Sequence, residues 1–443
     1  MEYQLDDERK TTMKVCPKQL EKDVRFMAET VGIRLAGSDN EKKTAEYLRD
    51  RLAAFCPKSE IEEFPVKESR IEEVKLELRI NGEWKAFPGY SLNSAPSTNG
   101  ETWEAEVVFF DSHTDFDRKD ISFLQGKAVI LLGMHFPTED SYRRMMEAKP
   151  AFLLMVDTRY NSKVPLGDGL FPAYVEKYGA VPCLDVAYFD AWNWTANHAD
   201  RARLKITGGI KDSMGTNVVG EIPGTDPEAK CIYFGGHLDT QAGTPGADDN
   251  AIGCAIVLEL AKVLSQKPHK NTLRFICFSA EEQLSFGSAS YVRKHRREVE
   301  EKGLFMCNFD SCGCAMGWYS FDTALNNELD DKIKEIYHDN DIWFKDNRSL
   351  DPYTDLFPFM AAGLPGITMM RCNVESGHYY HHRNDNTPDV IDFEQAAKLA
   401  DAAAKIIEAI DEGKLETEIT PWKAKEQEVH QLWQTVFGGW SDD

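Results

Sequence analysis

Cys231-Ile-Tyr-Phe-Gly-Gly-His237-Leu-Asp239-Thr-Gln-Ala-Gly-Thr-Pro-Gly-Ala-Asp248-Asp249-Asn250-Ala-Ile-Gly253 is the stretch on which the fold turns. Cys231 to Phe234 is an apolar run that ends in Gly235-Gly236, so it reads as a strand delivering His237 and Asp239 to one side of extended chain. Beyond Asn250 the apolar residues Ile256, Leu260 and Val263 recur at the spacing of one helix face. Asp248-Asp249-Asn250 therefore sits where that helix begins. Singly, each of these side chains is an ordinary turn or cap former. Together, carboxylates crowded beside an imidazole repel one another unless a cation holds them.

Outward from this stretch the chain alternates between strand and helix patterns. Thr216–Ile222, Cys231–Gly236, Leu273–Ser279, Leu304–Asp310 and Gly366–Met370 read as strands, and Ile252–Ser265, Gly287–Glu300 and Glu328–Asp339 as helices. Such alternation predicts an α/β fold with a mostly parallel, mixed central sheet and helices on both faces. Ligands then bind outside the carboxyl ends of the strands. Upstream, Lys18 to Phe55 reads as helices around a turn at Ile33–Ser38, assigned to packing, with Ser38 or Asp39 as the cap of the second helix. From about Ile71 to Lys205 short strands such as Val74–Ile80, Trp103–Phe110, Lys127–Leu132 and Phe152–Val156 mark an inserted strand-rich domain, with Arg143–Ala148 as a crossover helix. The expected domains are residues 1–65, a helical part of the main body; 66–208, the insert; and 209–443, the remainder of the body with a C-terminal helix and a Trp-containing tail.

Two further strands end in acids at the same edge, one running into Glu281-Glu282 and the other into Asp310. Late in the chain, His378, His381 and His382 fall within five residues, out of eleven histidines in all. The collected donors are imidazoles and carboxylates without cysteine, which suits zinc, with manganese or cobalt as substitutes. Five such ligands are too many for one tetrahedral ion with an open position and suit two ions sharing a carboxylate, as in aminopeptidases, phosphatases and nucleases.

Composition narrows the field. A length of 443 residues exceeds what one core usually supports, and a net charge of −23 argues against nucleic acid or an anionic membrane as partner. No stretch of eighteen apolar residues occurs, and the N-terminus lacks a charged segment followed by an apolar one. The expected location is the cytoplasm, or outside the cell if a signal has been removed. The ten cysteines are scattered and read as buried thiols.

His237-x-Asp239, Asp248-Asp249-Asn250, Glu281-Glu282, Asp310 and His382 together resemble the co-catalytic di-zinc aminopeptidase family, which includes transferrin-receptor-like peptidases and glutaminyl cyclases. The resemblance covers about Lys18 to Pro65 and Gly209 to Ile410, while the insert resembles a protease-associated domain in strand pattern and position. It implies two zinc ions, with Asp248 bridging, His237 and Asp310 on one ion, and Glu282 with a late histidine on the other. It further implies Glu281 as general base, Asp239 orienting His237, Asp249 as a supporting residue, and a cis Asp248–Asp249 peptide. The late ligand is His382 when Thr387-Pro388-Asp389 sets the register, with Arg383 and Asn386 replacing the usual Thr and Asp; it is His381 when Asp385 does. Leu356 stands where the family has histidine.

The implied reaction is hydrolysis of a peptide's N-terminal bond by a metal-activated water, on peptide substrates with a free N-terminus. Oligomerisation is left open. A cyclase-like acyl transfer using one metal, or a binding protein that kept the fold, are the alternatives; metal content per chain and metal-dependent turnover separate them.

Overall fold

The computed structural model describes residues 14–133, 136–159, 161–323, 327–347, 350–374, 377–417 and 422–440. The N-terminal segment without a leader pattern, Ser376 of the histidine-rich run and the side chain of Trp422 lie outside the described residues.

Two helices open the chain, α1 (Pro17–Arg25) and α2 (Asp39–Leu52). Ser38 is the cap the sequence predicts, its hydroxyl accepting from the Glu41 amide at 3.2 Å. The chain then enters β1 (Lys58–Ile80), a long strand that pairs antiparallel with β2 (Glu83–Phe87), and continues through β3 (Tyr90–Ser91), β4 (Trp103–Asp111), β5 (Ala128–Leu132), α3 (Glu139–Ala148), β6 (Phe152–Val156), α4 (Pro172–Tyr178), β7 (Cys183–Val186) and α5 (Tyr188–Ala196). β4, β5, β6 and β7 are parallel neighbours, and α3 is the crossover between β5 and β6. β5 and β6 are buried on both faces, which is why they read as unbroken apolar runs. Separate apolar clusters cover the two faces of this smaller sheet, one around Phe110, Leu131 and Met155 and one around Leu78, Ile130 and Trp194.

The return strand β8 (Arg201–Ile222) pairs with β1 from Arg79↔Arg201 to Lys58↔Glu221. Both expected domain boundaries fall inside this ribbon, at Pro65 opposite Met214 and at Gly208 opposite Ile71. A register shift between Ile71 and Glu73 lies there, and Gly208, at φ +95°, leaves no room for a side chain: an added Cβ would sit 2.2 Å from the Arg70 carbonyl oxygen. β8 pairs with β4 at one end and with β10 (Thr272–Phe278) at the other, so a single strand joins the two parts of a continuous sheet.

In the body, β9 (Cys231–His237) leads to α6 (Ile252–Leu264); β10 leads to α7 (Phe286–Lys302); then come β11 (Gly303–Phe309), β12 (Trp318–Thr323), α8 (Asn327–Asp339), β13 (Phe344–Asn347), α9 (Leu356–Ala361), β14 (Gly366–Cys372), α10 (Phe393–Asp411) and α11 (Trp422–Phe437). The strand order is β13-β12-β14-β11-β9-β10-β8. β14, β11, β9 and β10 are mutually parallel, flanked by antiparallel contacts to β12 and β8. α/β architecture with a mostly parallel, mixed sheet is thus what forms. α6, nearly all of whose residues are buried, packs with α1 and α10 on one face. On the other, α11 docks on α9 through stacked Phe357 and Phe437 rings, and Arg293 lies over fully buried Trp433, so the tail closes the body. Nine of the cysteines are buried thiols and Cys16 is half-buried.

Candidate metal centre

Because β9, β10, β11 and β14 run parallel, their carboxyl ends share one edge, and each hands over its terminal residues there. β9 ends on His237, β10 runs into the Glu281–Gln283 turn and β11 is followed by Asp310. α6 presses close against this edge. A Cβ on Gly253 would meet the Phe309 carbonyl oxygen at 2.3 Å, so that position requires glycine, and one on Gly236 would press on Gly253 backbone at 3.0 Å. Asn250 fixes the approach: its side-chain amide donates to the Phe309 carbonyl at 2.8 Å and its oxygen accepts from the Gly253 amide at 3.0 Å.

The His237 Nε2 atom lies 3.1 Å from Asp249 Oδ1, 3.7 Å from Asp310 Oδ1 and 3.9 Å from Glu281 Oε2. His382 Nε2 lies 2.9 Å from Glu282 Oε2 and 3.4 Å from Asp249 Oδ2. His237, Asp249 and Asp310 form one group with ligand atoms within 4.8 Å of one another, and Asp249, His381 and His382 form another. Asp249 belongs to both.

That placement corrects the expectation for Asp248. Its oxygens are occupied elsewhere, accepting from the Gly313 amide at 2.6 Å and the Tyr380 hydroxyl at 2.8 Å, while its own amide donates to Asn386 at 2.7 Å. The cis peptide is Asp249–Asn250, one bond later than the resemblance implied. The reason is register: adjacent side chains here face opposite ways, and long-range partners from two distant loops claim the first aspartate. His381 and His382 both approach Asp249, their rings stacked at 3.6 Å, but His382 is the one against Glu282.

Asp239 accepts from the amides of Glu281 and Glu282 at 3.1 and 3.3 Å and lies 3.5 Å from His237 Nδ1, so it holds both the glutamate turn and the imidazole. Arg34, assigned to packing on sequence grounds, is fully buried beneath the centre and donates to the carbonyls of Met27, Gly32, Leu238, Pro245 and Gly246. It ties the loop between His237 and Asp248 to the first helices. Its isolation in a turn offered no periodic signal. Tyr380 and Asp355 carry no role in the sequence reading, and His378 and Asn386, which it names, are given none at the centre; Tyr380, His378 and Asn386 sit in the histidine-rich run or just after it, which was the available clue. His378, buried, lies 3.7 Å from Asp248.

Charge at the centre is strongly perturbed. Burial opposes ionising Asp249, yet its hydrogen bond to His237 and the field of His382 and His381 hold its pKa well below the ordinary value. Burial disfavours a charge on His237, but Glu281, Asp239, Asp249 and Asp310 hold it well above. Burial raises Glu281 well above the carboxylate range, reinforced by Asp355, Asp310 and Glu282. Burial likewise lifts Glu282 to about 7 and Asp355 to about 7. Burial pulls His382 down, but Glu282 and Asp249 carry it up to about 9, and burial with His382 alongside drops His381 well below its usual value. Glu282 Oε1 is buried without a hydrogen-bond partner. Buried carboxylates converging on imidazoles, without thiolates, are a donor set that fits divalent cations of the zinc type.

The centre opens into a cavity of about 410 Å³ between the body and the smaller sheet's module. Residues 217–407 match the family described as Peptidase family M28. The chain is 23% identical over 421 residues to Aminopeptidase YwaD of Bacillus subtilis (strain 168), covering 91% of this chain and 88% of that protein. It is 26% identical over 417 residues to Carboxypeptidase Q of Mus musculus, covering 87% and 85%. Among solved structures, the Peptidase M28 precursor from Shewanella amazonensis SB2B superposes with a TM-score of 0.78 at 20% identity, covering 91% of this chain and 96% of that one. BSAP, a zinc aminopeptidase from Bacillus subtilis, does so with 0.73 at 19% identity, covering 92% and 98%. These superpositions agree with the mixed, mostly parallel fold.

Proposed function

We propose that the chain, whose residues 217–407 match peptidase family M28, is an aminopeptidase working with two divalent ions, zinc foremost, on peptides with a free N-terminus. The observation that carries the reading is Asp249 shared between the His237–Asp310 group and the His382 group, with Glu281 beside the first. Asp249 would be the ligand held in common, His237 and Asp310 would hold one ion, and Glu282 and His382 the other. The Bacillus subtilis relative's name and the zinc aminopeptidase neighbour support this choice.

Ions held there supply Lewis acidity, polarising the scissile carbonyl and lowering the pKa of water. Glu281 takes the proton of the attacking water and passes it to the leaving amine. Burial and the surrounding acids, Asp355 first, make its carboxylate a stronger base than an exposed one. Ser285 donates to Glu281 Oε1 at 3.3 Å and Asp239 holds the Glu281 amide, so the base is fixed at both ends. His237 is steered by Asp239.

The test is metal analysis with turnover of aminoacyl 4-nitroanilides and their N-acetylated counterparts. The expected result is two ions per chain, cleavage only of the free amines, and a Glu281→Gln protein that keeps its metal but loses roughly 10²–10⁴-fold in kcat. Near wild-type turnover by that variant would overturn the role of Glu281. Arg159, a cation in the cavity wall, is the feature favouring a carboxypeptidase instead, as the mouse relative is named. Cleavage of N-acetylated peptides with a free C-terminus, lost when that C-terminus is amidated, would select that reading.

A further inference from the structure

The cavity has two unlike walls. On the body side stand Glu281, Glu282, Asp249 and Asp310; the module contributes rings, together with Arg159 and Asp168, which pair with each other at 3.3 Å. Phe136 precedes α3, Phe171 precedes Pro172 at the head of α4, and Tyr174 lies in its first turn. α4 has no fully buried residue, so it is not a core helix of the module. Its rings are nevertheless held in place. Tyr142, 1% exposed and donating to the Gly179 carbonyl at 2.8 Å, packs edge-on against Phe136 at 5.0 Å and against Tyr174 at 5.5 Å. Tyr174 meets Phe171 at 5.2 Å, and Phe171 reaches across to Tyr353 of the body at 6.2 Å. The ring series therefore starts in the module's core and ends on Tyr353, which is 49% exposed at the cavity.

Rings beside a carboxylate cluster distinguish ligands by chemistry; Phe171 and Tyr174 are partly exposed in this cavity, and Phe136 backs them, nearly buried. The cavity gains by covering its rings with an apolar group, whereas an ionised side chain would lose its hydration there without covering the rings. A cavity of about 410 Å³ holds a short peptide end and falls within the usual range of roughly 300–1,000 Å³ for small-ligand sites.

Resting on the aminopeptidase reading, we propose that Phe136, Phe171 and Tyr174 of the module, with Tyr353 opposite, form the specificity pocket for the first residue of the substrate, so that the preferred substrates are peptides beginning with a bulky apolar residue. The module is then part of the active site rather than an appendage. Phe171 and Tyr174 are specificity residues that touch the substrate side chain; Tyr142 is a positioning residue acting through them.

The test compares kcat/KM on Phe-, Leu-, Ala- and Glu-4-nitroanilide. The wild type is expected to favour Phe and Leu over Ala by about 10- to 100-fold, with Glu poorest. In Phe171→Ala and Tyr174→Ala the Phe-to-Ala ratio falls by about 10-fold or more, and Phe171→Leu, which keeps the wall apolar, restores much of it. A ratio within one protein is insensitive to loss of folded enzyme. Trp192→Ala, an exposed aromatic of α5 that does not line the cavity, keeps the wild-type ratio. A wild type that cleaves none of the panel overturns the aminopeptidase reading beneath the proposal. One that cleaves the panel with no preference, or variants whose ratio stays at the wild-type value, overturns the pocket while the aminopeptidase reading stands.

Discussion

The two walls of the cavity are assembled in opposite ways. The acid wall is made of strand ends: four parallel strands terminate at one edge, and the peptide backbone alone brings His237, Glu281 and Asp310 together. The ring wall comes from segments that share no strand with the site, delivered across the gap by the β1–β8 ribbon. The candidate metal ligands thus sit at strand ends of the sheet, and the rings of the proposed pocket on a part hung from it. A wall built of strand ends tolerates little change, whereas a wall of side chains on a short helix can vary without disturbing the reaction.

The largest effect should come from separating neighbours in the acid wall. Asp249→Ala is expected to lose bound metal and about 10³-fold or more in kcat, because both ligand groups depend on it. Asp248→Asn should retain metal and lose about 10-fold, as for a supporting group. Metal analysis on the two proteins decides; equal losses would break the assignment of Asp249 as the shared ligand. Next, Arg34→Met should cost about 3–5 kcal/mol in chemical denaturation, since it strips buried backbone carbonyls of their donor. Metal affinity should fall with it, as the loop carrying Asp249 loosens.

Behind the acid wall, Glu41 accepts from Thr216, and burial raises its carboxyl to about 7. A carboxyl raised in the folded state binds its proton more tightly there than when unfolded. It therefore adds stability at pH below its unfolded value near 4.5, and that contribution is lost as pH rises through about 7. Glu41→Gln should remove this slope, so that the variant gains on the wild type by on the order of 3 kcal/mol between pH 5 and 8, read from unfolding midpoints. An unchanged slope would show that Glu41 titrates normally. The smallest effect belongs to the ring wall: Tyr142→Phe, losing the bond to Gly179, should cost about 1 kcal/mol and lower the Phe-to-Ala ratio slightly, with kcat on Ala substrates near wild type.

Legibility followed the same division. β9, β10, β11 and β14 announced themselves as short apolar runs because both their faces are buried, and α6 by its apolar spacing. β1 did so only over Val74–Ile80. Its charged, half-exposed first part through Glu62, Glu63 and Lys67 pairs with β8 and shows no clean alternation, so one expected domain boundary falls inside β1 and the other inside β8. Pro65 invited that reading, although an edge position in a two-stranded ribbon tolerates a residue without an amide hydrogen. The rings at Phe136, Phe171 and Tyr174 carried no motif at all, because their only common feature is spatial.

By itself the sequence determined the kinds of ligand and the strand ends that bear them, since residue type and hydrophobic period are local properties. Tertiary structure decided which neighbour is used. Gly313, Tyr380 and Asn386 hold Asp248, Asp249 lies between the two ligand groups, Glu282 sits 2.9 Å from His382, and the module's rings line the same cavity as the acids. Those choices depend on contacts between residues distant along the chain, and a one-residue shift changes them without altering the composition of the motif.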